Sequence, residues 1–307
     1  MACYHPLRAF RSSEQNPSGK RSLTFNEAQA YTSEKLSIPC GQCIGCRLER
    51  SRTWAVRMTH EKSLHRNNCF ITLTYSNENL PNGANLKVED FQKFMKRLRK
   101  KFYPEKIRFF HCGEYGENLY RPHYHAILFG IDFTDKYHWT TINEQKYYRS
   151  QTLETLWPQG QSMIGDVTWQ SAAYVARYIT KKVTGKNAEG HYRYFVNENN
   201  EYEMQKPEYT TMSRRPGIGY EWYKKYKTDC FPHDFLVLNG KQFKPPKYYL
   251  NKLEIDHNTQ WLTVGMEREY NAHKQLDNNS PERLKTRETI QQKKLEKLKR
   301  NYDNGHT

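Results

Sequence analysis

Two histidines stand one residue apart in the segment 122–129, whose apolar and aromatic composition predicts a β-strand. Side chains at i and i+2 of a strand face the same side, so His123 and His125 project together. Glu114 ends the preceding predicted strand (residues 107–114), and a turn over 115–121 brings its carboxylate beside both rings. Two imidazoles and a carboxylate leave positions on a divalent cation open for a phosphate oxygen. The pattern predicts a catalytic Mg²⁺ or Mn²⁺ site, with a structural histidine pair as the alternative.

Two tyrosines, Tyr174 and Tyr178, lie one helical turn apart in a helix predicted over residues 170–182. On a helical wheel both fall within about 60° of Lys181. The opposite side of the wheel is apolar and carries Ala172, Val175, Ile179 and Val183. The tyrosines are therefore predicted to face away from the packed side, although core packing is the alternative for such a pair. The Lys181 ammonium would favour a phenolate nucleophile, because an ordinary tyrosine pKa is about 10.

Three cysteines, Cys40, Cys43 and Cys46, are separated by two residues each, and Cys3 and His5 lie upstream. Thiolates at this spacing suit a tetrahedral Zn²⁺ ion. Cys3 or His5 would supply the fourth ligand of a structural site. Reduced surface thiols and an iron–sulfur cluster are the alternatives.

The elements that must position these groups are predicted from hydrophobic periodicity. A helix is expected over residues 48–64, a strand over 69–75, a basic amphipathic helix over 88–101, strands over 107–114 and 123–130, a helix near 144–156, a strand over 164–169 and the helix over 170–182. From residue 67 the order strand, helix, strand, strand, helix, strand predicts an α+β fold with an antiparallel sheet of the ferredoxin or RRM type, flanked by helices. Residues 1–36 are interpreted mostly as loop. Ser280 and Pro281 predict the start of a last helix that runs to about residue 302.

The charge of the chain indicates a polyanionic partner. Among 307 residues, 49 are Lys or Arg and 33 are Asp or Glu, which gives a net charge of +16. The 23 tyrosines could stack on unpaired bases while the cations contact phosphates. No apolar run is long enough to span a bilayer, and no secretory signal is present, so a reducing cytoplasm is expected. No Gly-x4-Gly-Lys-[Ser/Thr] motif occurs, so a separate helicase is expected to unwind the DNA.

Three motifs together resemble those of HUH replication initiators. They are Phe70-Ile-Thr-Leu-Thr-Tyr75, then Gly113-Glu-Tyr-Gly116 with Arg121-Pro-His-Tyr-His125, and Ala173-Tyr-Val-Ala-Arg-Tyr-Ile-Thr-Lys-Lys182. The segments 3–6, 39–47 and 212–219 are similar to the initiators of gokushoviruses, Microviridae phages with circular single-stranded DNA. The resemblance covers roughly residues 1–250. It implies an HUH endonuclease fold, metal ligation by Glu114, His123 and His125, and nucleophilic roles for Tyr174 and Tyr178, without fixing their order.

The predicted function is therefore a rolling-circle replication initiator that nicks and rejoins single-stranded DNA at the origin through a 5′-phosphotyrosine. Predicted DNA contacts are Arg121, Arg177, Lys182, Arg214 and Arg215. The expected partners are the origin strand and the host helicase and replication machinery, in the bacterial cytoplasm. The expected division is an N-terminal zinc segment with a helix (1–66), the endonuclease domain (67–250) and a basic, partly helical tail (251–307). A plasmid initiator, relaxase or transposase with the same chemistry, and a non-enzymatic zinc protein that binds single-stranded DNA, are the alternatives.

Overall fold

The structure is a computed structural model that describes residues 3–17, 19–116, 119–178, 190–197, 199–238 and 240–297. Contacts divide these residues into two compact units, one of residues 3–49 with 265–297 and one of residues 50–264. The strands are β1 (Leu7–Gln15), β2 (Arg21–Thr24), β3 (Leu36–Ile38), β4 (Asn68–Thr74), β5 (Arg108–Tyr115), β6 (Pro122–Phe129), β7 (Tyr137–Ile142), β8 (Gln145–Arg149), β9 (Ser162–Gly165), β10 (Tyr194–Val196), β11 (Tyr202–Met204), β12 (Tyr209–Met212), β13 (Leu236–Leu238) and β14 (Lys241–Phe243). The α-helices are α1 (Ile44–Lys62), α2 (Val88–Lys101), α3 (Gln151–Leu156), α4 (Trp169–Arg177), α5 (Tyr220–Tyr226), α6 (Lys247–Asp256), α7 (Asn258–His273) and α8 (Pro281–Glu296).

A seven-stranded antiparallel sheet organises the larger unit, with the strand order β12-β5-β6-β4-β9-β8-β7. Its inner four strands, β5-β6-β4-β9, have the order 2-3-1-4 along the chain, with helices α2 and α3 in the crossovers. This is the predicted split βαβ arrangement. The expectation of an α+β fold with a central antiparallel sheet is thereby confirmed.

Each face of this sheet buries a separate apolar cluster, because successive strand residues point to opposite sides. On the first face, Leu73 of β4 and Tyr124 of β6 pack with Phe94 and Leu98 of α2 and Trp157 after α3. The second face carries Phe70 of β4 and Ile127 and Phe129 of β6, which pack against α1 and α4. His123 and His125 lie on this second face by the same alternation.

Helix α2 illustrates how the sequence selects a position on the sheet. Its buried residues Phe91, Phe94, Met95 and Leu98 recur at helical spacing, so they form one stripe against the first face. Glu89 and Asp90 occupy the first turn, and the last turn is basic, which suits the helix dipole at both ends.

Two predicted regions are corrected by the structure. Residues 1–36, interpreted mostly as loop, form the sheet β2-β1-β3 together with residues up to Ile38. Of the nine residues of β1 only Ala9 and Phe10 are buried, so no apolar alternation announces these strands. The helix predicted near 144–156 begins only at Gln151, because β7 and β8 form a hairpin before it. Asn143 and Glu144 both have positive φ, 49° and 66°, as a two-residue hairpin turn requires.

The smaller unit contains the β2-β1-β3 sheet, the end of α7 and helix α8. Ser280 caps α8 by accepting a hydrogen bond from the Arg283 amide, with Pro281 in the first turn, as predicted. The expected end of this helix, near residue 302, lies outside the described residues. No helix in the described part of the chain is long and apolar enough to cross a membrane. The predicted three-part division of the chain remains a prediction.

Candidate functional site: a histidine–carboxylate cluster beside two tyrosines

Glu114, His123 and His125 converge on the second face of the large sheet. In the β5–β6 register, Glu114 pairs directly with His123, and His125 lies two residues further along β6. The Glu114 Oε1 atom lies 3.0 Å from His123 Nε2 and 3.0 Å from His125 Nε2. The exposed fractions of the three residues are 1%, 9% and 1%. The predicted set is therefore brought together, in a place that little solvent reaches.

The outer nitrogen of each ring has a fixed partner. His123 Nδ1 lies 3.1 Å from the backbone oxygen of Arg121, which can only accept, so Nδ1 carries the proton and Nε2 faces Glu114. His125 Nδ1 lies 2.9 Å from Thr72 Oγ1 on the neighbouring strand β4. Partners of this kind orient metal-binding histidines and set the tautomer that presents Nε2.

The cluster has the donor set and the dimensions of a divalent-metal site. All three ligand atoms lie within 4.8 Å of one another. Two ligands held about 2.1 Å from a metal at a right angle lie about 3.0 Å apart, as these do. Burial alone would raise the pKa of Glu114, but the charge of His123 and hydrogen bonds from both histidines hold that pKa well below its ordinary value. The carboxylate is therefore ionised, and these three residues could hold a metal ion.

Both predicted tyrosines lie against this cluster, although not in the environment that the helical wheel predicted. The Tyr174 hydroxyl is 3.4 Å from His125 Nε2, and the Tyr178 ring stacks on the His125 ring with centroids 5.4 Å apart. The exposed fractions of Tyr174 and Tyr178 are only 4% and 3%. The prediction that these side chains lie away from the packed face is wrong, because α4 is packed on the sheet around most of its circumference, with Ala172, Val175 and Ala176 also buried.

Helix α4 positions Tyr174 through its own first turn. The Thr168 side chain accepts a hydrogen bond from the Ser171 amide, and the Ser171 hydroxyl bonds back to the Thr168 amide, which is a capping box. Tyr178 is the C-cap residue. Lys181, the predicted activator of the nucleophile, and Lys182, a predicted DNA contact, lie outside the described residues.

Four cysteines form a second cluster, inside the smaller unit. The Sγ atoms of Cys3, Cys40, Cys43 and Cys46 all lie within 4.8 Å of one another. Those of Cys3 and Cys43 are 3.9 Å apart, too far for a disulfide. His5 does not join the cluster, since its Nε2 atom bonds the Glu288 carboxylate at 2.8 Å.

Backbone amides point at the sulfurs of this cluster. Tyr4 N donates to Cys43 Sγ, Cys40 N to Cys3 Sγ and Cys43 N to Cys40 Sγ, each at 3.3 Å. Burial raises the pKa of the Cys43 thiol, but hydrogen bonds from the Tyr4 amide and from Cys46 and Cys40 outweigh it and lower that pKa to about 6. The arrangement favours thiolates, and these four residues could hold a metal ion.

The predicted DNA-contacting arginines occupy different surroundings. Arg121 precedes the histidines and donates to Asn77 Oδ1 at 2.7 Å and to the Tyr75 carbonyl at 3.0 Å. Arg177 stands 5.8 Å from the centre of the Tyr174 ring. Arg214 and Arg215 are exposed in the turn after β12. None of these positions conflicts with a DNA contact, and the predicted roles stay predictions.

Two positioning residues were missed by sequence reasoning. Thr72 has the strand period of Phe70 and Thr74 on the second face, which was the available signal, but its bond to His125 depends on the β4–β6 register. Glu61 of α1 accepts from the Gly219 amide at 2.7 Å and pairs with Arg108, and Arg108 Nη2 also donates to the Pro216 carbonyl at 2.9 Å. These bonds secure the turn that carries Arg214 and Arg215, and no local pattern links residues so far apart.

Comparison with known proteins places the chain among phage replication proteins. The family model of the replication-associated protein ORF2 matches residues 68–183, which include every member of the histidine–carboxylate cluster and both tyrosines. Replication-associated protein VP4 of Bdellovibrio phage phiMH2K is 33% identical over 84% of this chain and 80% of its own length. Replication-associated protein ORF2 of Spiroplasma virus 4 is 33% identical over 83% of this chain and 81% of its own length.

A third relative, replication-associated protein ORF4 of Chlamydia phage 1, is 30% identical over 80% of this chain and 61% of its own length. No solved structure matches the chain. The likeness to these relatives spans more than the three motifs, and it confirms the resemblance to Microviridae-type rolling-circle initiators. The chain belongs to the family of phage replication-associated proteins.

Proposed function

We propose that this protein is a metal-dependent nickase and strand-joining enzyme that starts rolling-circle replication at the origin of a circular single-stranded DNA genome. The observation that carries the proposal is the 3.4 Å approach of the Tyr174 hydroxyl to His125 Nε2, an atom of the histidine–carboxylate cluster. A phosphodiester bound at that cluster would lie within reach of a tyrosine oxygen.

The reaction follows from the groups present. The tyrosine oxygen attacks the scissile phosphorus, the O–P bond to tyrosine forms, and the bond from phosphorus to the 3′ oxygen breaks. The phenolic proton is released, and the departing 3′ oxygen takes up a proton to become a hydroxyl. Mg²⁺ or Mn²⁺ bound by Glu114, His123 and His125 would supply charge stabilisation at the phosphate oxygens.

Two tyrosines at one cluster support rejoining as well as cleavage. Tyr174 and Tyr178 lie with ring centroids 4.9 Å apart, and both contact His125. While one tyrosine holds the 5′ end, the other can cleave a regenerated origin. The free 3′-hydroxyl then attacks the first phosphotyrosine, restores a phosphodiester and releases the tyrosine. The bond energy is retained in the adduct, so the cycle needs no ATP. Arg121, Arg177, Lys182, Arg214 and Arg215 are proposed to contact the strand.

The alternative functions explain fewer observations. A non-enzymatic protein that binds single-stranded DNA accounts for the net charge of +16 and the tyrosines. It gives no reason to bury an ionised Glu114 between two histidines beside two tyrosine hydroxyls, an arrangement that costs desolvation free energy. A plasmid initiator, relaxase or transposase would share the chemistry, and the relatives, all phage replication proteins, favour the viral role.

The partners and location follow from this role. The origin strand is the proposed substrate, a host helicase and replication machinery would act with the nickase, and the bacterial cytoplasm is the proposed site of action.

The four-cysteine cluster is proposed to hold a structural Zn²⁺ ion. Thiolates bound about 2.3 Å from a tetrahedral ion lie about 3.8 Å apart, close to the 3.9 Å between Cys3 and Cys43. We expect one zinc per chain by elemental analysis of protein purified without chelator. Cys43→Ser should lose it, and Cys230→Ser, at a buried thiol elsewhere, should keep it.

The nickase proposal is tested by incubating the protein with end-labelled origin DNA and Mn²⁺ or Mg²⁺. We expect a covalent adduct whose peptide map identifies the first nucleophile. Tyr174→Phe with Tyr178→Phe should abolish adduct formation, while Tyr223→Phe, at a buried tyrosine in a different apolar cluster, should not. Wild-type adduct formation by the double variant would refute the proposed chemistry.

A further inference from the structure

An open cleft lies on the second face of the sheet, next to the histidine–carboxylate cluster. Its empty volume is about 270 Å³, and it is lined by Thr72, Thr74, Trp139, Arg149, Gln161, Ser162 and Met163. We call it the Trp139 cleft. It crosses strands β4, β9, β8 and β7, whereas the metal ligands stand on β5 and β6.

The cleft and the cluster share a wall. Thr72 lines the cleft and bonds His125 Nδ1 at 2.9 Å, and Thr74, also in the lining, pairs in register with His123. Neighbouring strands lie about 4.8 Å apart, so the near side of the cleft is one strand from the metal ligands. A group that fills the cleft would therefore lie within a nucleotide's reach of a phosphate bound at the cluster.

A bulge shapes the far wall. The β7–β8 register shifts between His138 and Thr140, so Trp139 is an extra residue that has no partner in this described ladder. Bulges re-aim side chains and are frequent beside active sites. The Trp139 side chain stays 45% exposed, unusual for so large a ring, and the Arg149 guanidinium lies 5.4 Å from its centre.

We propose that the Trp139 cleft binds one unpaired base of single-stranded DNA, the base adjoining the scissile phosphate, by stacking on Trp139. The inference rests on the proposed nickase function for the position of that base. A nucleobase has apolar faces and polar edges, and the cleft offers an indole face together with the Thr74 hydroxyl and the Gln161 amide. Paired bases are already stacked inside a duplex, so only an extruded or unpaired base can use such a platform.

Charge indicates that the contribution is stacking rather than phosphate attraction. The Arg149 Nε atom is 2.9 Å from the Glu154 carboxylate, so the guanidinium next to Trp139 is already paired with an anion. Loss of Trp139 should therefore lower the affinity for single strands and leave the salt dependence of binding unchanged, because that slope counts neutralised phosphates.

The first test measures binding of a fluorescent single-stranded oligonucleotide, and of the same sequence as a duplex, without added Mg²⁺ or Mn²⁺. We expect Trp139→Ala to weaken single-strand binding about 5- to 150-fold, with no change for the duplex. Trp139→Phe should recover most of the loss. Tyr270→Ala is the matched control, since Tyr270 is also exposed and has Lys274 Nζ 4.1 Å from its ring centre. Wild-type single-strand affinity in Trp139→Ala would overturn the proposal.

The second test locates the base. Abasic sites are placed one at a time on either side of the nick, and initial nicking rates are compared. One flanking abasic site should slow the wild type and have no added effect on Trp139→Ala, and equal slowing of both proteins would overturn the placement. If the wild type fails to nick while Trp139→Ala still weakens binding, the nickase proposal fails and base binding in the cleft stands.

Discussion

Replacing Thr72 by valine should separate the metal site from the rest of the fold. Valine keeps the shape and the β-branch of threonine in strand β4, and it removes only the oxygen that lies 2.9 Å from His125 Nδ1. Metal binding through Nε2 requires the proton on Nδ1, and Thr72 Oγ1 accepts it. Without Thr72 Oγ1, the Nδ1 proton loses this acceptor in a ring that is only 1% exposed.

The size of the effect follows from this burial. Loss of the partner of a buried donor costs about 1–3 kcal/mol, and changes of this type around metal ligands typically lower affinity about 10- to 100-fold. A 10- to 100-fold loss corresponds to about 1.4–2.7 kcal/mol, which lies in the same range. We therefore expect the affinity of Thr72→Val for Mn²⁺ to fall about 10- to 100-fold.

Isothermal titration with Mn²⁺ measures this affinity, and nicking at increasing Mn²⁺ measures its consequence. Nicking by Thr72→Val should need more Mn²⁺ and approach the wild-type rate at saturation, because the nucleophiles are unchanged. Thr74→Val is the control: Thr74 lies on the same face, and its hydroxyl donates instead to the Gln161 carbonyl at 3.2 Å.

Wild-type Mn²⁺ affinity in Thr72→Val would show that His125 is not a ligand oriented through Thr72. A low rate that persists at saturating Mn²⁺ would point instead to a direct role for Thr72 in the reaction. Equal losses in Thr72→Val and Thr74→Val would indicate a general disturbance of β4.

Three further predictions concern stability. His60 is buried, and burial lowers its pKa to about 3, so between pH 6.5 and 3 the unfolded chain binds more protons; stability should be full above pH 6.5 and fall by up to about 1.4 kcal/mol per pH unit below it, and His60→Phe should reduce that slope in urea titrations, with the remainder due in part to buried His111. Glu61→Gln should destabilise the protein by about 3 kcal/mol in the same assay, because it leaves Arg108 without its buried carboxylate, and an unchanged midpoint would mean that water replaces Glu61. Leu98→Ala should cost about 2–5 kcal/mol, since Leu98 is fully buried between α2 and the sheet, whereas Ile255→Ala, at an exposed residue, should cost little.

The metal ligands were accessible from sequence because their geometry is local. Strand alternation places His123 and His125 on one side, and a short hairpin returns the chain beside Glu114. The same is true of α2, whose apolar period is complete within one helix, and of the cysteine triplet, whose spacing lies within seven residues.

Other features were decided by contacts between distant segments. The burial of Tyr174 and Tyr178 depends on α4 packing over β6, and a helical wheel describes one helix without the surfaces that cover it. The choice of Cys3 over His5 depends on how the N-terminal segment meets residues 40–46. The β2-β1-β3 sheet is held by backbone bonds between mostly exposed residues, which leave no apolar pattern.

The sequence by itself determined that this chain has the ligand set Glu114, His123 and His125, because short-range backbone geometry is enough to align them. The tertiary structure decided what surrounds that set. Thr72, Tyr174 and the Trp139 cleft come to the cluster through strand pairing and helix packing, which act between residues far apart in the chain.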